Sequence, residues 1–376
     1  MPGIEFFLRI WRLSIAAFVV LANCASGIAF AREPATPNRS QTGQTARETP
    51  PQAEAELQTG IALTRSGKFA EAIPHFLTAR GHVSNEYAAE FNLALCYVGQ
   101  GHPQKAIPIL TGLRNEGHEN AEVESLLSQA HAGNDEPKEA FEAFQKAAGF
   151  APKDEKLYLL AAAAFLEKQE YSRGAKVVLS GLQQLPDSPR LHYEMGYALW
   201  QLDESGLAKQ EFERATSLAP HSGIGYLAAA QESYMLGDLS RAAQVARTGI
   251  REGFADYQLL ALLGDTLLRD GARPGQPEFS EAKEALEKSI AARPNYASSQ
   301  IALGRLLLQE GRVDTAIEHL EKGMQLAPQD PSPYFLLATV YRKRGRLEEA
   351  RAMMDMVAKI NEEQAQKRRA AFDENR

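Results

Sequence analysis

Catalysis needs nucleophiles, acid–base groups or metal ligands at workable spacing, and this chain offers few. It has two cysteines, Cys24 and Cys96, with no CxxC pair, and eight scattered histidines. His131 falls at a helix-packing position and reads as structural; His192 and His319 read as helix-surface residues. The chain contains no HExxH for zinc, no GxxxxGK[ST] for phosphates and no GxSxG for a serine nucleophile. Glu348 and Glu349 are adjacent, so on a helix they point apart. One spacing does stand out: Tyr193, Tyr197 and Trp200 recur at i, i+4 and i+7, one stripe of a helix. Tyr, Trp and Arg are the residue types that dominate binding hot spots. Such a stripe either meets a partner or packs internally. The expected chemistry is recognition, with no catalytic residues, no metal and no cofactor.

The chain has 376 residues, long for one domain unless it is a repeat or a large barrel. Hydrophobic residues make up 44% and charged residues 24%, ordinary for a folded protein. A net charge of -7 argues against a nucleic-acid binder held by phosphates. Residues 1–31 read as a signal peptide. Arg9 and Arg12 precede the apolar run Leu13–Ala22, and Ala29-Phe30-Ala31 offers a cleavage site. That run is short for a membrane span, which needs about 20 residues. An uncleaved anchor and a lipid on Cys24, within Leu21-Ala22-Asn23-Cys24, are the alternatives. Residues 32–52 contain four prolines and no Leu, Ile, Val, Met, Phe, Tyr or Trp. A segment that cannot bury apolar surface is expected to be a disordered linker. Cleavage would leave Cys96 alone, so the fold must stand on packing rather than a disulfide.

The elements that position the aromatic stripe follow a period. Small residues at Gly60, Ala94, Ser128, Ala162, Gly196, Ala230 and Gly264 are 34 apart; Gly304 follows after 40 and Ala338 after 34. A second series runs Ala72, Ala106, Ala140, Gly174, Ala208, Ala242, then Ala282 after 40, then Ala316 and Ala350. Both skip at the Gly/Pro-rich segment Asp270–Phe279, which predicts a six-residue insertion near 272–277. Bulky residues sit four after the second series, as at Phe76, Leu110, Phe144, Phe212, Leu286 and Leu320. Prolines sit twelve after it at 152, 186, 220, 294 and 328, where they stop a helix. Each unit therefore reads as two helices crossing at small residues, with the large side chain filling the neighbouring space.

A 34-residue helix–turn–helix unit of this kind resembles the tetratricopeptide repeat. The motif residues include Tyr193-Glu194-Met195-Gly196 in the first helix, Gly67, Gly101, Gly237, Gly271, Gly311 and Gly345 at the turn, and Ala208, Phe212, Ala215 and Pro220 in the second. Gln169 stands where the turn glycine is usual, and Phe254 where the proline is. In this register nine units start at Ala53, Tyr87, Ala121, Glu155, Pro189, Gly223, Tyr257, Ala297 and Pro331 and fill residues 53–364. Residues 365–376 form the end of the last helix and a tail. The resemblance implies an all-α fold, an α-solenoid in which antiparallel helix pairs wind into a right-handed superhelix.

The family's first helices line a concave groove where a partner lies. The positions carried over are Arg190, Tyr193, Tyr197 and Trp200; Leu227, Gln231 and Tyr234; Ile301 and Arg305; and Phe335, Thr339 and Arg342. Where some members clamp a peptide carboxylate, this chain has Ile61, Leu95, Gln129 and Ala163, so that clamp is not evident. The expectation is an exported, periplasmic or secreted interaction scaffold that is not an enzyme. It would bind a protein or peptide, no nucleic acid, and a membrane only through residues 1–31. The alternative is a membrane-tethered assembly subunit of envelope or secretion machinery.

Overall fold

The computed structural model describes residues 51–374, with side chains through 366. The leader, Cys24 and nearly all of the linker lie outside the described residues. Within them the chain is helical, with no strand. The helices follow one another as pairs: α1 (Pro51–Arg65) and α2 (Phe69–Ala79), α3 (Glu86–Gly99) and α4 (Pro103–Leu113), α5 (Ala121–Gly133) and α6 (Pro137–Phe150), α7 (Glu155–Glu167) and α8 (Tyr171–Gln184), α9 (Pro189–Gln201) and α10 (Ser205–Leu218). Then come α11 (Gly223–Met235) and α12 (Leu239–Arg251), α13 (Tyr257–Arg269) and α14 (Pro277–Ala292), α15 (Ala297–Gln309) and α16 (Val313–Leu326), and α17 (Pro331–Lys343) and α18 (Leu347–Glu374). The fold is an all-α solenoid. It divides into two compact bodies, one ending at Ala164 and one beginning at Phe165.

Local chemistry sets each pair. First helices start on side-chain caps: the oxygens of Asn85, Asn120, Ser188, Ser222 and Asp256 accept from backbone N–H groups of the first turn. Between helices one residue takes positive φ, such as Gly237 at 80°. This lets the next N–H reach back five residues, as in Asp238 N to Ser233 O at 2.9 Å. Pro103, Pro137 and Pro277 open second helices, where a missing N–H costs nothing.

Pairing then depends on the small residues. A Cβ on Gly196 would stand 2.8 Å from the Phe212 ring, and one on Gly304 2.7 Å from Leu320. The seam is equally close where the small residue is Ser128, whose Oγ donates to Ala140 O at 2.8 Å. The aromatic and leucine side chains that fill these seams are core residues: Phe76 and Leu110 in the first body, Phe212, Leu286 and Leu320 in the second. In the first body, α4 runs into a π-helical turn, Arg114–His118. From it Arg114 donates twice to the fully buried Glu124, at 2.5 and 2.7 Å. In the second, the extra residues form the loop between α13 and α14, with Ala272 buried inside it.

Successive pairs touch unequally. α1 meets α3 and α3 meets α5; in the second body α9, α11, α13, α15 and α17 meet in turn. The second helices make no comparable contact with one another among the described residues. First helices thus line the shorter, inner side of each stack.

Candidate functional site

In the second body the inner side carries one connected polar–aromatic chain across four successive first helices. On α9, Tyr197 and Trp200 meet edge to face with ring centroids 6.2 Å apart. Trp200 meets Tyr234 of α11 in the same way at 6.0 Å. Such pairs are worth about 0.5–1.5 kcal/mol beyond the area they bury. The Tyr234 hydroxyl donates to Asp265 Oδ2 of α13 at 2.5 Å, and Arg305 Nη1 of α15 donates to Asp265 Oδ1 at 2.7 Å. Arg269 Nε lies 3.0 Å from the same carboxylate, and its guanidinium sits over the Tyr234 ring at 4.9 Å. Burial, followed by the Asp265 carboxylate, pushes the Tyr234 hydroxyl far above its usual range, so it remains a donor.

Four of the residues expected to face a groove therefore stand together: Tyr197, Trp200, Tyr234 and Arg305. Sequence reasoning missed Asp265, which joins them. Its signal was present, because it occupies in the seventh pair the place of Gln231 and Arg305 in the sixth and eighth. Tyr193, Leu227, Gln231 and Ile301 are buried. Tyr193 lies against the Phe212 ring at 5.7 Å, and Ile301 meets the space beside Gly323 that a Cβ would fill. The reason is rotational: these side chains turn from the inner side into the seams between helices. Phe335, Thr339 and Arg342 form a separate stripe on α17, where Phe335 is 54% exposed. Arg190 is exposed at the start of α9.

Histidines serve the pairs. His131 meets Glu136 at 2.6 Å across its own turn. His192, expected on a helix surface, instead bridges α9 and α10 through Glu211 at 2.6 Å. His319 meets Gln300 at 2.6 Å, and burial lowers its pKa. Among the described residues no three His, Cys, Asp or Glu side chains gather as a metal site, and no helix is long and apolar enough to cross a membrane.

Comparison with known proteins follows the same lines. A tetratricopeptide repeat model matches residues 63–130, 276–332 and 307–370, and a second model of the same repeat matches 189–222. A tetratricopeptide repeat protein from Parabacteroides merdae superposes with TM-score 0.51 at 16% identity, covering 68% of this chain and 99% of that one. The human IFIT1 dimer with PPP-AAAA gives TM-score 0.53 at 13% identity, covering 93% and 83%. No curated protein is matched. Identities this low speak of fold alone. The 34-residue period, the glycine seams and the matched repeats agree, and the chain belongs to the tetratricopeptide repeat family.

Proposed function

We propose that the protein is an exported interaction scaffold whose second body takes a peptide or a partner helix along its inner face. The family's coarser role, a protein–protein interaction scaffold, is the base of this reading. The observation that carries the rest is the Trp200–Tyr234–Asp265–Arg305 chain. It places aromatic edges and guanidinium groups on four successive helices, spaced to follow an extended ligand. Asp265 holds Arg305 and Arg269 in fixed positions, which lowers the entropy lost when a ligand binds them. The test uses the full chain as bait for envelope extracts, followed by titration of the identified partner against wild type and Trp200→Ala. The reading requires weaker binding with helical content and melting unchanged. Equal loss of binding and melting would make Trp200 a packing residue.

A tethered assembly subunit is the second reading, favoured by Leu21-Ala22-Asn23-Cys24 and the apolar residues that follow. The mass of the mature N-terminus separates the two. A start at Arg32 supports release, whereas an acylated Cys24 or an intact Met1 supports the tether.

A further inference from the structure

The inner face of the second body is partly covered by its own chain. Gln364, far along α18, donates from Nε2 to Gln169 Oε1 at 2.8 Å and to Gln329 O at 2.9 Å. It thereby ties the last helix and the loop before α17 to the turn between α7 and α8. α18 can reach because it runs 28 residues, twice the length of α16. The same edge meets other loops. Tyr296, leading into α15, meets the Tyr257 ring edge to face at 5.0 Å, and the charge of Asp330, leading into α17, acts on the hydroxyls of Tyr171 and Tyr197. Arg293 sits over the Tyr257 ring at 4.6 Å and stands near Glu167.

Gln169 itself is anomalous. Its φ is 56°, a left-handed conformation that six of the other turns give to glycine and two give to aspartate. A glutamine there costs about 1–2 kcal/mol. Strain of this kind persists where surrounding structure uses the side chain, and this side chain is the one that receives Gln364. A second tension lies beside it: Glu167 Oε1 is buried with no hydrogen-bond partner.

We propose that the contact of α18 and the loops leading into α15 and α17 with the second body's own edge, from Glu167 to Tyr197, is a releasable strap. Gln364 on Gln169 is its latch, and while closed it shields Tyr197 and the carboxylates of Glu167 and Glu194 from a partner. This device presupposes the recognition role proposed for the inner face, yet its opening is measurable with no partner present.

Protonation biases the strap. Burial raises the Glu167 carboxyl to about 8, against the opposing charges of Arg293 and Lys168. It raises Glu194 to about 7 against Arg190, with the hydroxyls of Tyr193, Tyr197, Tyr257 and Tyr296 around it. A carboxyl with a raised pKa binds its proton more tightly in the closed form. Closure is therefore unpenalised below the ordinary value of 4.5 and weakens as pH rises through 7 and 8.

The test is amide hydrogen exchange by mass spectrometry on the full chain, with α11 and α12 as internal reference. In Gln364→Ala and Gln169→Gly, segments 165–171, 293–297 and 327–331 should exchange about tenfold faster, the signature of local opening. Gln169→Gly should melt no lower than wild type, because glycine suits φ 56°. Raising pH from 5 to 9 should speed the same segments relative to the reference, and Glu167→Gln should flatten that rise. Unchanged relative protection in both variants, or a uniform loss across all helices, would overturn the strap. Opened segments together with unaltered partner affinity would uphold the latch and count against the recognition role.

Discussion

Gly196 and Phe212 show how narrowly a single residue sets this fold. The ring occupies the space a Cβ would take, 2.8 Å away, so Gly196→Ala must push it aside. Overpacking of this kind costs about 1–3 kcal/mol. The expected result is a lower denaturation midpoint by circular dichroism, partly restored by Phe212→Leu. The Arg114–Glu124 pair makes a different demand. Glu124 is fully buried and takes both hydrogen bonds from one guanidinium. Arg114→Ala would strand that carboxylate and should destabilise the first body by about 3 kcal/mol in urea unfolding. Arg114→Met with Glu124→Leu should recover most of the loss, since the pair contributes less than its breakage costs. Polar bridges also recur by position. His75–Glu56, His192–Glu211 and His319–Gln300 each span 19 residues and join a first helix to its second. In the sixth pair Tyr226 and Val245 hold those places.

At the scale of helices, Asp265 is the residue on which the candidate face turns. Asp265→Ala frees the Tyr234 hydroxyl and releases Arg305 and Arg269 while leaving the seam at Gly264 alone. Partner affinity should fall about tenfold with helix content unchanged, read by calorimetry and circular dichroism; a charge-assisted hydrogen bond of about 1.5–3 kcal/mol is enough for that. The helices themselves were legible because steric need repeats: where two axes cross, the sequence must be small, and the crossing recurs every 34 residues. Tyr197 and Trp200 were legible because a stripe on one helix shows as i, i+4 and i+7 spacing; Tyr234 and Arg305 were legible only through the groove positions that the repeat family implies. Asp265 was passed over because an acidic residue carries no aromatic or basic signal, although it holds the same place in its helix as Gln231 and Arg305. Tyr193, Leu227 and Ile301 share the register of exposed positions, but a small rotation turns them into the seams, and sequence periodicity does not resolve such an angle. The Gln169–Gln364 contact joins residues 195 apart and leaves no periodic trace. Its one sign was a glutamine in a glycine's place.

Each of the two bodies, taken by itself, lines the inner side of its stack with first helices, and among the described residues the connected aromatic and guanidinium chain lies in the second. Recognition, rather than packing alone, is the role proposed for that strip. The most direct measurement is titration of the captured and identified partner into the full chain, its Trp200→Ala variant and its Arg305→Gln variant, with melting temperature recorded for each. Affinity should fall about tenfold or more in both variants, at melting temperatures within about 2 °C of wild type. Unchanged affinity in both, or affinity lost only in step with melting, would contradict that role.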